Sequence, residues 1–424
     1  MTVNYAMVGC GGMGMRHAHG YIEARRTFES LHLSAVCDLY EPAAQKVADE
    51  VERATGHRPS IYTDFNKMLE HEKNIDAVEV VTETRMHHTF ALAALEAGKH
   101  VMTEKPMGLT MRACKLMADA AVRAGKVLSV AENFRRDPLN RLAKDLIESG
   151  AVGRPYFALD IAISGSTDGV MHGTVWRASK ERAGGIVLDA GVHNADLLLY
   201  LMGDAESVYA ETAVMRPDRR HLPMSVMSKN LAPFYVHREA AEGAGTGAVE
   251  QDAADTAFAV IKFKSGALGQ LTMTDSSMGY RLGAETVQGS EGTLVRSPSR
   301  SGKPPEIRRP DGKVIGGEDL LKLVPDWQLD AKTAALWGDE RPSSYQMEWE
   351  VIDRKIIAIE YQDFAEAIEN GRQPEVGPAE GMAALALLYA VLESGAAHAP
   401  VNVADVASGR VHSYQRYINA AAGL

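Results

Sequence analysis

The chain has 424 residues, of which 46% are hydrophobic and 24% charged, with a formal net charge of −11. These proportions exclude a disordered chain, a collagen-like repeat and a coiled coil, and the length suggests two domains. The acidic balance disfavours nucleic acid as a partner, and no run approaches the ~20 uninterrupted apolar residues of a membrane span.

Three scattered cysteines, Cys10, Cys37 and Cys114, argue against a disulfide framework and for a reducing compartment. The opening MTVNYAMVGC lacks the basic region and apolar run of a secretory signal, so a cytoplasmic location is expected.

In chain order, a short apolar strand at 5–8 runs into glycines, and a helix is predicted over 15–29. A second strand at 31–37 ends at Asp38. Helix 43–54 follows, then a short helix capped by Asp64. A β-branched strand at 76–82 precedes helix 88–97, which stops at Gly98. Strand 100–103, helix 110–124 with Gly125 at its end, and strand 126–131 complete the alternation. Strands separated by helices of this length indicate βαβ units and a parallel sheet. After about residue 133 the rhythm changes. A helix at 139–149 leads to longer strands with period-2 character at 156–163, 207–214, 256–263 and 267–273, where antiparallel pairing is expected. One helix is predicted from about 185 to 201, and two more over 361–370 and 379–394. The expected fold is therefore α/β. Residues 1–133 form an N-terminal Rossmann domain with a doubly wound parallel sheet, and residues 134–424 an α+β domain with a large, mostly antiparallel sheet. Two stretches read as insertions, 216–250 with its clustered arginines and histidines, and 297–350, rich in proline, glycine and tryptophan.

Residues 9–14, Gly-Cys-Gly-Gly-Met-Gly, match GxGxxG between a strand and a helix. Gly9 permits the tight turn, Gly11 lets the backbone approach a pyrophosphate, and Gly14 allows close helix–strand packing. The pyrophosphate would sit on the helix N-terminus. Asp38 closes the next strand at a spacing suited to the ribose hydroxyls. No arginine follows it immediately, so NAD is expected over NADP. Lys105, in Glu104-Lys105-Pro106, stands at a strand's carboxyl end and hence at the cofactor crevice. Asp189 and His193 are i and i+4 on one predicted helix, with Asp196 nearly in line. Trp176-Arg177 lies just before. No metal-ligand spacing is present.

Together these residues resemble the Gfo/Idh/MocA oxidoreductases, the glucose–fructose oxidoreductase and inositol dehydrogenase family. The resemblance runs through GCGGMG with His17, Asp38, Thr82 to His87, EKP at 104–106, Asn133 with Arg135-Arg136, GRP at 153–155, WR at 176–177, DxGxHxxD at 189–196 and FAEAIENGR at 364–372. It implies Lys105, Asp189 and His193 as the catalytic set. It implies cofactor contacts from Gly9, Gly11, Gly12, Met13, Gly14, Asp38, Thr82, His87, Glu104, Lys105 and Arg177, and substrate contacts from Asn133, Arg177 and the catalytic three. The implied reaction is oxidation of a secondary hydroxyl of a sugar, glycoside or cyclitol with NAD, by a homodimer or homotetramer. His193 suits the proton-accepting role near neutral pH, and Lys105 can stabilise charge on the reacting oxygen. An alternative on the same fold is glycoside hydrolysis through transient ring oxidation, elimination, water addition and re-reduction. A third reading, a non-catalytic NAD or sugar sensor, is disfavoured by the presence of all three catalytic residues.

Overall fold

In a computed structural model, which describes residues 2–165, 167–171, 174–235 and 247–424, the strand-like runs of the first third pair side by side. They are β1 (Val3–Val8), β2 (Leu31–Cys37), β3 (Ser60–Tyr62), β4 (Ala77–Val80), β5 (His100–Glu104) and β6 (Leu128–Ala131). Their order is β3-β2-β1-β4-β5-β6, with every neighbour parallel. Helices α1 (Gly12–Thr27), α2 (Glu41–Thr55), α3 (Phe65–His71), α4 (His87–Glu96) and α5 (Met111–Ala124) connect them. Covered on both faces, β1, β4 and β6 are almost wholly buried, which is why they read as continuous apolar runs. The strand order reverses between β1 and β4, and a ligand crevice forms outside the carboxyl ends there.

Local signals explain the boundaries. The Asp64 carboxylate accepts from the Lys67 N–H at 3.0 Å and starts α3. Helix α1 begins at Gly12 rather than at residue 15, because the second half of the glycine motif makes its first turn.

The second sheet has nine strands: β7 (Pro155–Ile163), β8 (Ala205–Ala213), β11 (Thr256–Phe263), β12 (Leu268–Thr274), β13 (Leu282–Gly289), β14 (Thr293–Arg296), β15 (Glu306–Arg308), β16 (Val314–Gly316) and β17 (Val401–Asn402). A separate ribbon pairs β9 (Asp218–Arg220) with β10 (Ala248–Glu250). The large sheet runs β16-β15-β14-β13-β7-β12-β11-β8-β17 and is antiparallel except between β7 and β12. The longer helices of this half are α6 (Pro138–Glu148), α8 (Gly191–Met202) and α10 (Pro378–Ala397), with the short α7 (Gly185–Asp189) before α8 and with α9 (Trp349–Asn370), which returns to the first domain. Helix α10 is long and apolar enough to cross a membrane, yet it packs on β8 and α8 as a mostly buried core helix.

Helix α9 is far longer than the stretch 361–370 expected, because Ile352, Ile356 and Ile357 continue its apolar side. It lies along α1. A Cβ on Gly20 would come within 2.3 Å of Ile357 Cγ2, so only glycine permits this approach. The helix expected over 185–201 is two helices with a break at Ala190. At the break Gly191 packs so closely on β12 that a Cβ would lie 2.9 Å from the Met273 sulfur. Asp189 therefore ends one helix and His193 lies in the first turn of the next.

Arg216, Arg219 and Arg220 of the 216–250 stretch are bonded within the fold. Arg219 is buried between Asp255 at 3.2 Å and Asp275 at 2.7 Å. Arg216 donates to the Thr167 carbonyl at 3.0 Å, and Arg220 faces Asp168 at 3.5 Å. His237, Arg238 and most of the Gly/Ala-rich run lie outside the described residues.

Candidate active site

Three neighbouring parallel strands deliver their following residues to one place. Thr82 comes after β4, Lys105 directly after β5, and Glu132 and Asn133 directly after β6. Facing them are Trp176 and Arg177 from a short turn, Asp189 from the end of α7 and His193 from α8. Between the two sets lies a cleft of about 260 Å³.

Lys105 Nζ donates to the Asp189 carbonyl at 2.8 Å and lies 3.7 Å from its Oδ1. Arg177 Nε donates to the other oxygen, Asp189 Oδ2, at 2.8 Å, and its guanidinium stacks 4.2 Å over Trp176. One carboxylate thus fixes two cations. His193 Nδ1 lies 2.7 and 2.8 Å from the two oxygens of Glu132, and its ring stacks on Phe134 at 4.0 Å with a 5° interplanar angle. A carboxylate accepts, so Nδ1 carries the proton and Nε2 is left with a lone pair. Burial lowers the His193 pKa; Glu132 opposes this and Lys105 adds to it, with a net fall below the ordinary imidazole value. The neutral ring is therefore the resting form at neutral pH.

Beneath this site runs a buried chain of charge. His17 Nδ1 is 2.7 Å from Glu79 and Nε2 is 3.0 Å from Glu104, while the Tyr361 hydroxyl donates to Glu79 at 2.7 Å. Burial works against the His17 proton, but two carboxylates hold it and push its pKa up to about 10. Glu104, next to Lys105, lines the cleft with its carboxylate locked in this chain.

The glycine turn suits a dinucleotide. Gly9 has φ +99°, and a Cβ there would strike the Val81 carbonyl at 2.4 Å. A Cβ on Gly14 would come within 2.2 Å of the Gly9 carbonyl. At Gly11 a Cβ would meet nothing within 4 Å, so the backbone is open there. Helix α1 has no side-chain cap and no acid in its first turn, which leaves the first N–H groups for an anion. Asp38 accepts from the Cys10 N–H at 2.7 Å and the Tyr40 N–H at 2.8 Å, which aims its carboxylate at the turn. Met13 and Thr82 line the cleft.

Other candidates fall elsewhere. His87 is buried and does not line the cleft; its nitrogens meet the Pro106 carbonyl at 2.9 Å and the Thr82 carbonyl at 3.2 Å, which ties the two loops together. Asp196 is held in both oxygens by Arg135, at 2.8 and 2.5 Å. Glu83 is held by Arg182 at 2.8 and 2.5 Å. Asn133 lines the cleft, and its buried Oδ1 has no partner. Sequence reasoning missed Glu132, and it missed Arg16, Leu231, Tyr235, Arg300 and Trp349, which wall the cleft. Tyr235 lies against the glycine turn, where a Cβ on Gly12 would be 2.6 Å from its ring.

Family models describe both halves. Residues 3–132 match the oxidoreductase family's NAD-binding Rossmann fold, and residues 144–403 its C-terminal alpha/beta domain. The chain belongs to the Gfo/Idh/MocA oxidoreductase family. Among Gfo/Idh/MocA relatives, the levoglucosan dehydrogenase of Pseudarthrobacter phenanthrenivorans is 28% identical over 296 residues, covering 69% of this chain and 73% of that protein. The myo-inositol 2-dehydrogenase of Thermotoga maritima is 26% identical over 392 residues, covering 92% and 95%. A solved levoglucosan dehydrogenase in complex with NADH and levoglucosan superposes with a TM-score of 0.70 at 25% identity, covering 95% of this chain and 99% of the other. The cofactor is NAD.

Proposed function

We propose that this protein is an NAD-dependent dehydrogenase that oxidises a secondary hydroxyl of a sugar, glycoside or cyclitol. The observation that supports this reading is the convergence of Lys105 and His193 on one cleft beyond the strands of the NAD-binding sheet. Relatives named for levoglucosan, myo-inositol and D-glucoside dehydrogenation supply the substrate class.

Gly11, Gly12, Met13 and Asp38 would hold the dinucleotide, with Thr82 and Glu104 near its reactive end. When bound, NAD supplies the acceptor for the hydride that leaves the substrate carbon. His193 Nε2 takes the hydroxyl proton, and Glu132 keeps that ring in the accepting tautomer. Lys105 donates a hydrogen bond to the same oxygen and stabilises the negative charge that grows there. Asp189 fixes Lys105, and Arg177 fixes Asp189. The unpartnered Asn133 Oδ1 suits a donor hydroxyl of a polyol.

A screen of free sugars, cyclitols and glycosides with NAD, recording NADH absorbance and product identity, tests this. Net NADH supports the dehydrogenase. Cleaved glycoside without net NADH would replace it with hydrolysis through transient oxidation.

The Glu132–His193 pair sets a pH dependence. The base must be neutral, and its pKa lies below the ordinary ~6.5, so the parental rate should be flat at pH 7 and fall only in more acidic solution. Glu132→Gln removes the charge that raises the His193 pKa. The acid limb should then move to lower pH while the plateau drops about tenfold or more, as an unoriented base loses part of its 10²–10⁴ contribution. A purely structural Glu132 would leave the pH limb in place.

The three free cysteines are buried, in keeping with a reducing cytoplasm. We also assign the open face of the large sheet to self-association. Val260 lies opposite Tyr209, and Leu268 opposite Phe157, with Phe258 beside them, all exposed. Val260→Glu should shift the sedimentation coefficient from oligomer towards monomer; a parental protein already monomeric would refute the assignment.

A further inference from the structure

The 297–350 stretch begins by placing Arg300 in the cleft wall. Its backbone has φ +63°, one of two positive values among the described non-glycine residues. Left-handed arginine is disfavoured and persists only where its surroundings impose it; such residues concentrate at ligand clamps. Asp137 imposes it here. That buried carboxylate accepts from the Arg300 N–H at 2.6 Å, from the Leu139 N–H at 3.0 Å and from the Tyr345 hydroxyl at 2.9 Å. The guanidinium lies 4.9 Å from the centroid of Phe134, the ring that stacks on His193, and 5.8 Å from Trp349. Arg300 is thus preorganised one aromatic ring away from the imidazole.

Its charge is met by a carboxylate it shares and, at longer range, by the buried Asp137. Asp353 Oδ1 accepts from Arg300 Nη1 at 3.0 Å and from Arg16 Nη2 at 2.6 Å, and Asp353 Oδ2 accepts from Arg16 Nε at 2.8 Å. Two guanidinium groups share one carboxylate. The site's other carboxylates are engaged elsewhere: Asp189 holds Lys105 and Arg177, and Glu104 and Glu132, 4% and 2% exposed, are bonded to His17 and His193. An oxyanion would meet a fixed planar fork there in charge-assisted hydrogen bonds, whereas a neutral polyol would accept only weaker ones.

We propose that Arg300 is a specificity-determining residue and that the substrate is a sugar or cyclitol carrying an oxyanion substituent, a carboxylate or a phosphate. This rests on the dehydrogenase reading above. The hydroxyl to be oxidised lies at His193 and Lys105, and the oxyanion, on a different carbon, lies against Arg300.

Matched sets of a hexose, the corresponding hexuronate and the hexose phosphate, tried with NAD on the parent and on Arg300→Met, test the proposal. The parent should use one anionic member with kcat/KM at least tenfold above the neutral hexose, and the preferred member identifies the oxyanion. Arg300→Met should reduce that preference to about threefold or less, chiefly through KM, and parental KM for the anion should rise with added salt. An equal fall for neutral and anionic substrates, or a parent that prefers the neutral hexose, would overturn it. Calorimetric binding of hexuronate and hexose phosphate to the NADH-loaded protein covers the case in which no sugar is oxidised. Anion binding lost in Arg300→Met would keep the anion site while the dehydrogenase reading falls; no anion binding would overturn the site itself. Arg300→Lys, which keeps the charge but not the fork, should retain part of the preference and guards against misfolding of the methionine variant.

Discussion

Lys105→Met is expected to lower single-turnover NADH formation by 10²–10³, or about 3–4 kcal/mol of transition-state stabilisation, while NAD still binds. Methionine keeps the length and apolar stem of lysine and deletes its charge. What is lost is the donor that meets the growing oxyanion and the anchor to Asp189. The substitution removes one cation from Asp189, but Arg177 remains on the second oxygen at 2.8 Å, so the carboxylate stays paired and the fold should survive. Single-turnover rates are the quantity to measure, because slow product release can hide a chemical defect in kcat. A near-parental rate would remove Lys105 from the chemistry.

His17→Leu should have the largest effect on stability. It leaves Glu79 and Glu104 facing each other inside the protein without the cation that now joins them. Breaking such a buried charge set costs about 3–5 kcal/mol. The sign of the pH effect follows from the raised pKa. The bound proton stabilises the folded state fully below the unfolded imidazole value of ~6.5, and that stabilisation is lost as pH rises towards about 10. The parent should therefore lose stability between those limits more steeply than His17→Leu, and the gap between the two melting temperatures should be widest near pH 6. Equal melting temperatures at pH 6 would contradict a charged His17.

The alternation of strands and helices was legible because a sheet buried on both faces demands unbroken apolar runs, and crossover helices demand their spacing. The glycine motif was legible because the turn excludes side chains at Gly9 and Gly14. Lys105 was legible at a strand's carboxyl end, where a crevice must form, and Asp189 and His193 as an i, i+4 pair; that they end one helix and begin the next was not. Glu132 was not legible: it is a single acid between Ala131 and Asn133, and only the fold turns it towards His193. The break at Ala190 was equally hidden: Asp189 and Gly191 weaken a helix there without fixing its end, and the close packing on Met273 is a contact only the fold makes. Charge alone could not place the arginines of the 216–250 stretch. Its arginines look like a recognition patch but answer Asp255, Asp275 and Asp168. The residues of the long stretches that do reach the cleft, Leu231, Tyr235, Arg300 and Trp349, carry no local pattern.

The packing of α9 on α1 has a practical meaning for engineering. Ile352, Ile356, Ile357, Tyr361 and Phe364 belong to the same apolar cluster as β1, β2 and α1, although more than three hundred residues of chain separate them. Arg16 and Asp353 tie the same two helices by charge. An exchange of cofactor modules between homologues, cut at the end of β6, would pair a foreign α1 with the resident α9. The graft would carry a mismatched seam at Gly20 and Ile357, where one added methyl group is already too many. Recombinants that move residues 349–370 together with the first 133 would keep that seam intact, and shuffled libraries built with this paired crossover should yield more folded clones than those with a single junction.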